Sequence, residues 1–505
     1  MATQRAEEVP RGRAALNGIL ATGAGLGAGH LVALLAPGSS PVVAVASRAI
    51  DLTPGPVKDW AVATFGTADK AVLVAGAIVV TLGLGALVGL AARRSTRAAL
   101  ICGAALAAVA VTAAGADSAR EVLWWAPGIV ALAVGGWALV RLIRASGDVG
   151  AVPVVDGRGR RDWLRLGLAV GGVGVLGGLL GQWLRGTGAP QAVTLPTRSV
   201  TPFPTGLEAQ VPGVSPFVTP ASQFYRIDTA LIVPSLDVGS WRLSIEGMVD
   251  HPFSIGWDEL LALDAIERPV TLECVSNDVG GDLIGSARWL GVRTSELLNR
   301  AGVRAGADMV LSTSTDNFTV STPLEALLDD RGALVAYGMN GAALPQEHGF
   351  PARLLTPGLY GFVGATKWLV KMEVTTFAAR QAYWTVRGWS DHGPIKPGSR
   401  IEVPRPGAHV SSGTVRVGGT AWAHGVGVGK VQVRVDRGPW ADVTLGPDAG
   451  VQYWRQWLWS WDAAPGEHEL QVRVVDAAGK AQDESIADPV PNGASGLHTI
   501  SIVVG

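Results

Sequence analysis

The sequence predicts a multi-domain protein with three parts: an N-terminal five-helix transmembrane anchor, an α+β domain, and a C-terminal antiparallel β-sandwich of immunoglobulin type. Three observations carry this. Residues 1–185 are rich in Ala, Gly, Val and Leu, whereas the remainder carries Trp, Pro, Asp, Glu and Arg like a water-soluble protein, so the two parts suit different solvents. Between 223 and 398, strand-like runs (WRLSIEG, RPVTLECV, ALVAYGM, KWLVKMEV) mix with helix-like ones (WDELLAL, RTSELLNRAG). From 399 to 505, runs such as TVRVGGTAW, KVQVRVD and HELQVRVVD alternate polar and apolar residues at period two, punctuated by Gly, Pro and Asp.

The anchor is read from long apolar stretches. Four run over 14–35, 71–92, 98–114 and 122–143, and a fifth over 163–183. A spanning helix needs roughly 20 mostly apolar residues. The intervening 42–65 is broken by Pro54, Gly55 and Pro56 and reads as a loop with an interfacial helix. Arg5, Arg11 and Arg13 precede the first span, Arg93, Arg94 and Arg97 follow the second, and Arg141, Arg144, Arg158 and Arg165 lie between the fourth and fifth. Basic loops on alternate sides put the N-terminus inside and everything after the fifth span outside a plasma membrane. The fifth span opens Arg160-Arg161-Asp162-Trp163, which resembles a twin-arginine export signal and equally satisfies the positive-inside rule. His30 is the lone histidine of this half, so a bis-histidine haem is not expected there. Residues 186–222, rich in Pro, Thr, Gly and Ser, are expected to form a linker.

Composition also excludes. The net charge is −1, with no basic stripe, so a nucleic-acid partner is not expected. The two cysteines are Cys102, in an apolar run, and Cys274, in the water-soluble part, which rules out a disulfide framework.

Two segments carry chemistry. In the first, Thr271-Leu272-Glu273-Cys274-Val275-Ser276-Asn277-Asp278-Val279-Gly280-Gly281, a strand delivers Cys274 to its end and a Gly-rich loop leads away. Such a cysteine is either a small buried hydrophobe or a soft thiolate ligand for a transition metal. In the second, His348-Gly349-Phe350-Pro351-Ala352-Arg353, followed by LLTPGLYGFVGATKW, a His, an Arg and Lys367 frame a Gly-rich turn. This is either a loop with surface charges or a phosphate cradle of backbone N–H groups and cations.

Taken together, the order FYRIDTALIVP, LECVSNDVGGDLIGSARWLGV, MNGAALPQEHGFPARLLTPGLYG, TKWLVKMEV, YWTVRGW resembles the sulfite oxidase family of molybdopterin enzymes, over about Gln223 to Gly505. The resemblance implies a molybdenum–molybdopterin cofactor (Moco) held by residues 223–398, and a C-terminal domain that often makes dimers. It implies that Cys274 binds molybdenum. Tyr225, Arg226 and Asp228 would surround the cofactor, with Arg226 also facing an oxyanion pocket. Asp316 would contact the pterin, His348 and Arg353 the cofactor, and Ala365, Thr366 and Lys367 the pterin phosphate. Departures bear on the substrate. Vertebrate and plant members place an Arg five residues after the cysteine, where this chain has Val279. Their active-site Tyr lines up with Trp389, and a further pocket Arg falls near Val490. Charge-assisted hydrogen bonds contribute about 1.5–3 kcal/mol each, so a dianion such as sulfite loses binding unless Lys396 and Arg387, close in sequence to Trp389, compensate.

The expected function is therefore oxygen-atom transfer on a small polar substrate outside the cytoplasm, by sulfite oxidation or by reduction of an S-oxide or N-oxide. With no C-x-x-C-H haem motif in the chain, electrons would pass to or from a separate cytochrome or quinone-linked carrier. The competing reading is a non-catalytic, membrane-tethered binding module.

Overall fold

The computed structural model describes residues 9–33, 40–53, 69–115, 123–147, 163–172, 203–231 and 233–505, with isolated positions between them. The chain divides into two compact units, 1–189 and 190–505.

The first unit is helical: α1 (Arg11–Val32), α2 (Pro41–Leu52), α3 (Asp69–Ala91), α4 (Thr96–Gly115) and α5 (Ala126–Gly147). Among the described residues, four of these, all but the 12-residue α2, are long and apolar enough to cross a membrane. Small residues set their packing. A side chain at Gly18 of α1 would run into the Gly85 carbonyl of α3 and lie 2.7 Å from the Gly89 nitrogen, and one at Gly25 would meet the Ala131 carbonyl of α5 at 2.5 Å. The backbones therefore meet directly, as small-residue helix pairs do in lipid. Asn17, buried on α1, donates to Ser146 Oγ of α5 at 2.9 Å and accepts from Trp163 Nε1 at 2.9 Å, so its polar atoms are satisfied inside the bundle. His30 shares a 3.1 Å hydrogen bond with Ser40 Oγ. Of the expected fifth span, 163–172 and Gly174 are helical, while its remainder and the Arg160–Arg161 pair lie outside the described residues.

The second unit opens with two five-stranded sheets. One runs β2 (Phe253–Gly256), β1 (Arg242–Gly247), β10 (Leu369–Thr375), β5 (Met309–Ser314), β6 (Thr319–Pro323). The other runs β3 (Ala265–Glu273), β4 (Ile284–Arg293), β7 (Leu334–Met339), β8 (Ala342–Ala343), with β9 (Arg353–Leu355) also on β7. Leu243 and Ile245 of β1, Met372 and Val374 of β10, Val335 of β7 and Leu297 and Leu298 of helix α6 (Thr294–Ala301) form one core, and Val270 and Leu272, near the end of β3, pack in a second with Trp289 and Phe350.

Two further sheets follow. Their orders are β11 (Gly398–Val403), β13 (Gly413–Trp422), β17 (Arg455–Ala463), β16 (Thr444–Leu445), and β12 (His409–Val410), β19 (His498–Val504), β18 (Gly466–Asp476), β14 (Val428–Val435), β15 (Ala441–Asp442). Val417 and Trp457 of the first pack with Val431, Val472 and Ile500 of the second, so the period-two alternation buries one face of each sheet in a shared core.

The linker expectation fails for 203–222. Phe217 is fully buried, and its carbonyl accepts from Tyr453 Oη at 2.7 Å and Trp454 Nε1 at 3.0 Å. Ser215 N donates to Glu402 Oε2 at 2.6 Å. Polar, Pro-rich composition reads as linker, yet three apolar residues here, Val211, Val214 and Phe217, are buried.

Trp457 has no exposed surface. Trp457→Ala is expected to cost about 3–5 kcal/mol of stability through the cavity it leaves, read as an earlier denaturant midpoint of the C-terminal sheets. An unchanged midpoint would show that this core does not hold the two sheets together.

Candidate active site

Strand β3 ends at Glu273, and Cys274 follows, buried, its N–H donating to the Leu283 carbonyl at 2.9 Å. The loop after it closes on its own side chains. Asn277 donates Nδ2–H to Glu273 Oε1 at 2.9 Å and accepts the Leu283 N–H at 2.9 Å. Gly280 has φ +79°, and a Cβ there would strike the His498 ring, so a glycine is required at this turn. Arg400 of β11 reaches across to donate from Nη1 to the Gly281 carbonyl at 2.6 Å, while its Nε holds Glu402 at 2.6 Å. Glu273 itself is buried, which pushes its carboxyl up to about 8.

Cys274 lines a cavity with about 950 Å³ of open space. Of the residues expected at the site, Tyr225, Asp228, Asp316, His348, Arg353, Ala365, Lys367 and Trp389 line the same cavity. Two do not. Arg226 is 42% exposed and lies on the Asp228 carboxylate at 2.9 Å, off the cavity wall, because that buried acid attracts it. Thr366 is fully buried and hydrogen-bonds Ser312 Oγ at 2.6 Å, since along this segment its side chain points into the core between its neighbours. Val279 lines a separate small cleft with Lys396, not this cavity. Lys396 and Arg387, the side chains expected to compensate, do not line this cavity either. Lys396 Nζ donates to the Gly493 carbonyl at 2.5 Å, and Arg387 Nη1 to the Tyr383 carbonyl at 2.6 Å with its guanidinium over that ring, each bound to a backbone acceptor outside the cavity wall.

The electrostatics of the wall are unusual. Arg353 is 4% exposed, packs over Trp289 and donates from Nη1 to the His348 carbonyl at 3.1 Å, yet its buried Nε has no partner. Burial lowers its pKa to about 10. His348 presents Nε2 to the Ala221 carbonyl at 2.8 Å; a carbonyl only accepts, so Nε2 carries the proton. Burial, then Arg353 and Lys367, hold this histidine below its ordinary value, hence neutral. Burial, opposed by Ser276 hydrogen bonds, raises the Cys274 thiol, and burial likewise raises Asp316. A coordinated thiol nonetheless ionises, because the metal's charge overrides such a shift. A buried guanidinium with an idle donor beside a buried lysine is costly unless an anion completes it. The charge suits a phosphate, and Cys274 in the same wall suits a soft metal.

Sequence reasoning missed Arg400, Asn277 and Glu273, which set the cysteine loop, and Phe362 and Trp384, which line the cavity. The only local signal was Glu273 and Asn277 flanking the cysteine in ECVSND.

Lys367 Nζ donates to Asp228 Oδ2 at 3.0 Å and to the Glu347 carbonyl at 3.0 Å. Burial, offset in part by Asp228, pulls its pKa from 10.5 down to about 8. The folded value lies below the unfolded one, so between them the unfolded chain binds more protons, and stability rises with pH from about 8 to 10.5. In the detergent-solubilised chain, Lys367→Met is expected to flatten that part of the melting-temperature profile. An unaltered slope would mean that the ammonium is not buried as described.

Comparison with known proteins agrees with this geometry. The family described as oxidoreductase molybdopterin binding domain matches residues 230–384. The mitochondrial sulfite oxidase of Macaca fascicularis is 29% identical over 333 residues, covering 54% of this chain and 58% of the relative, so the chain spans a little over half the length of that relative. The uncharacterized oxidoreductase YuiH of Bacillus subtilis is 31% identical over 157 residues, 76% of its length. Among solved structures, the sulfane dehydrogenase SoxCD of Paracoccus pantotrophus superposes with a TM-score of 0.51 at 21% identity, over 62% of this chain and 91% of that one, a likeness of fold. A thiol and a cationic, anion-seeking wall in one cavity are thus set in a domain of known kind: the chain belongs to the sulfite oxidase family of molybdopterin-dependent oxidoreductases, whose cofactor contains molybdenum.

Proposed function

We propose that this protein is an extracytoplasmic oxygen-atom-transfer enzyme, anchored in the plasma membrane by its N-terminal helices with the N-terminus inside. The observation that carries the reading is Cys274 in one cavity wall with buried Arg353 and the largely covered Lys367. When bound, the molybdenum cofactor supplies two-electron oxygen-atom transfer to or from a small polar substrate. Cys274 would be its protein thiolate ligand. Arg353 and Lys367 would hold the pterin phosphate, with Ala365 beside them and Tyr225 and Asp316 along the pterin. His348, neutral, would offer Nδ1 as an acceptor while its Nε2–H braces the Ala221 carbonyl ahead of Tyr225. Asp228 would steady Lys367, and Arg226 would act only through that shared carboxylate. A separate cytochrome or quinone-linked carrier would exchange the electrons. The two C-terminal sheets are read as an immunoglobulin-like module suited to pairing two copies of the chain. The orientation rests on Arg93, Arg94 and Arg97 between α3 and α4 and on Arg141 and Arg144 at the end of α5.

The test is molybdenum per chain, after expression in a host that makes the cofactor. About one metal per chain is expected from its single cavity cysteine, with loss of metal and turnover in Cys274→Ser and an unchanged circular dichroism spectrum. A well-folded protein with no molybdenum would favour the tethered binding module.

A further inference from the structure

The cavity has a second character besides its cationic wall. Phe362, Trp389 and Trp384 line it in sequence, with ring centroids 5.8 Å and 6.1 Å apart, and Tyr383 and Phe318 continue the series at 5.1 Å and 5.4 Å. These rings form a continuous aromatic arc, of which all but Tyr383 face the cavity. The cations of the wall are engaged elsewhere: Arg353 packs over Trp289 and Lys367 over Trp368, rings outside the arc. Among the described residues, the cation stacked on the arc is Arg387, which covers Tyr383 from outside the cavity wall. Val279 and Lys396 line the separate cleft. If the phosphate-seeking cations serve the cofactor, a substrate meets carbon and ring faces rather than positive charge.

Ring faces are electron-rich. They attract the positive end of a dipole and bury apolar groups, and they repel an anion. On the reading above as a molybdenum oxygen-atom-transfer enzyme, we propose that the Phe362–Trp389–Trp384 arc selects a neutral molecule with a dipolar X⁺–O⁻ group on an apolar body, and disfavours inorganic sulfite. Sulfur and nitrogen oxides share this chemistry. For a sulfoxide the step is R₂SO + 2 e⁻ + 2 H⁺ → R₂S + H₂O. The S–O bond breaks, the oxygen leaves as water, sulfur is reduced, and the electrons come from a reduced one-electron carrier, a viologen radical in the assay.

The experiment uses the full chain in detergent, with molybdenum content measured for every sample. Methyl phenyl sulfoxide, dimethyl sulfoxide and N,N-dimethylaniline N-oxide are assayed with reduced methyl viologen, and sulfite with ferricyanide. Saturation-transfer NMR reports binding of the sulfoxides independently of turnover. The arc predicts that at least one aryl oxide is preferred to sulfite in kcat/KM, and that methyl phenyl sulfoxide binds more tightly than dimethyl sulfoxide. It also predicts that Trp389→Ala weakens aryl oxide binding about tenfold, appearing in KM more than kcat, with molybdenum content unchanged. Whichever aryl oxide is preferred tells sulfur from nitrogen. The proposal is overturned if a molybdenum-loaded protein prefers sulfite, or if neither methyl phenyl sulfoxide nor N,N-dimethylaniline N-oxide binds, or if the affinity for the preferred aryl oxide is indifferent to Trp389→Ala; the enzyme reading survives each of these. Absence of molybdenum in a folded protein instead removes the enzyme reading and the arc's role together.

Discussion

One buried guanidinium fixes the geometry on which the site depends. Arg400 belongs to the first strand of the C-terminal sheets, yet its Nη1 ends on the Gly281 carbonyl in the loop that follows Cys274, and its Nη2 reaches Ser215 Oγ at 3.0 Å. Glu402 neutralises it within the same strand, so a charge that would be prohibitive alone becomes a three-way tie. Around it, Trp454 donates its backbone N–H to Thr271 Oγ1 at 2.8 Å, and Thr271 N donates to the Gln452 carbonyl at 2.9 Å, so β3 is held at Thr271, three residues before the cysteine, by residues far later in the chain. The cysteine loop is short and Gly-rich. Left to itself it would sample many conformations. The C-terminal sheets therefore do more than extend the protein: they set where the thiol points.

The remainder of the site follows from burial. Arg353 and Lys367 are placed by β9 and by the segment entering β10. Ala365 and Lys367 face the cavity while Thr366, between them, bonds Ser312. The same alternation that builds a strand thus sorts a three-residue motif into two that face the ligand and one that supports them.

Much of this was legible in the sequence. Periodicity told helices from strands, and apolar length identified the four long helices. The HGFPAR run and the cysteine strand both supply residues to the one cavity. What escaped has a common cause. Arg400 is 126 residues beyond Cys274 and looks like any strand arginine, because its role comes from a contact that spacing does not encode. Arg226 stands beside site residues in sequence but turns to Asp228, since the nearest buried opposite charge decides where a long, mobile side chain lies. Residues 203–222 were misread for a related reason: composition averages over a segment, whereas burial depends on a few apolar anchors such as Phe217.

The idle Nε of Arg353 has a wider consequence. A wall that keeps one donor waiting for an anion makes ligand loading a thermodynamic event of folding: anything that binds only the folded chain stabilises it by mass action. A chain without such a ligand lacks that added stability, and where cleavage follows opening it is the better protease substrate. The cavity is in this sense its own inspector: a cell that degrades what unfolds would remove unloaded copies with no dedicated device for recognising them.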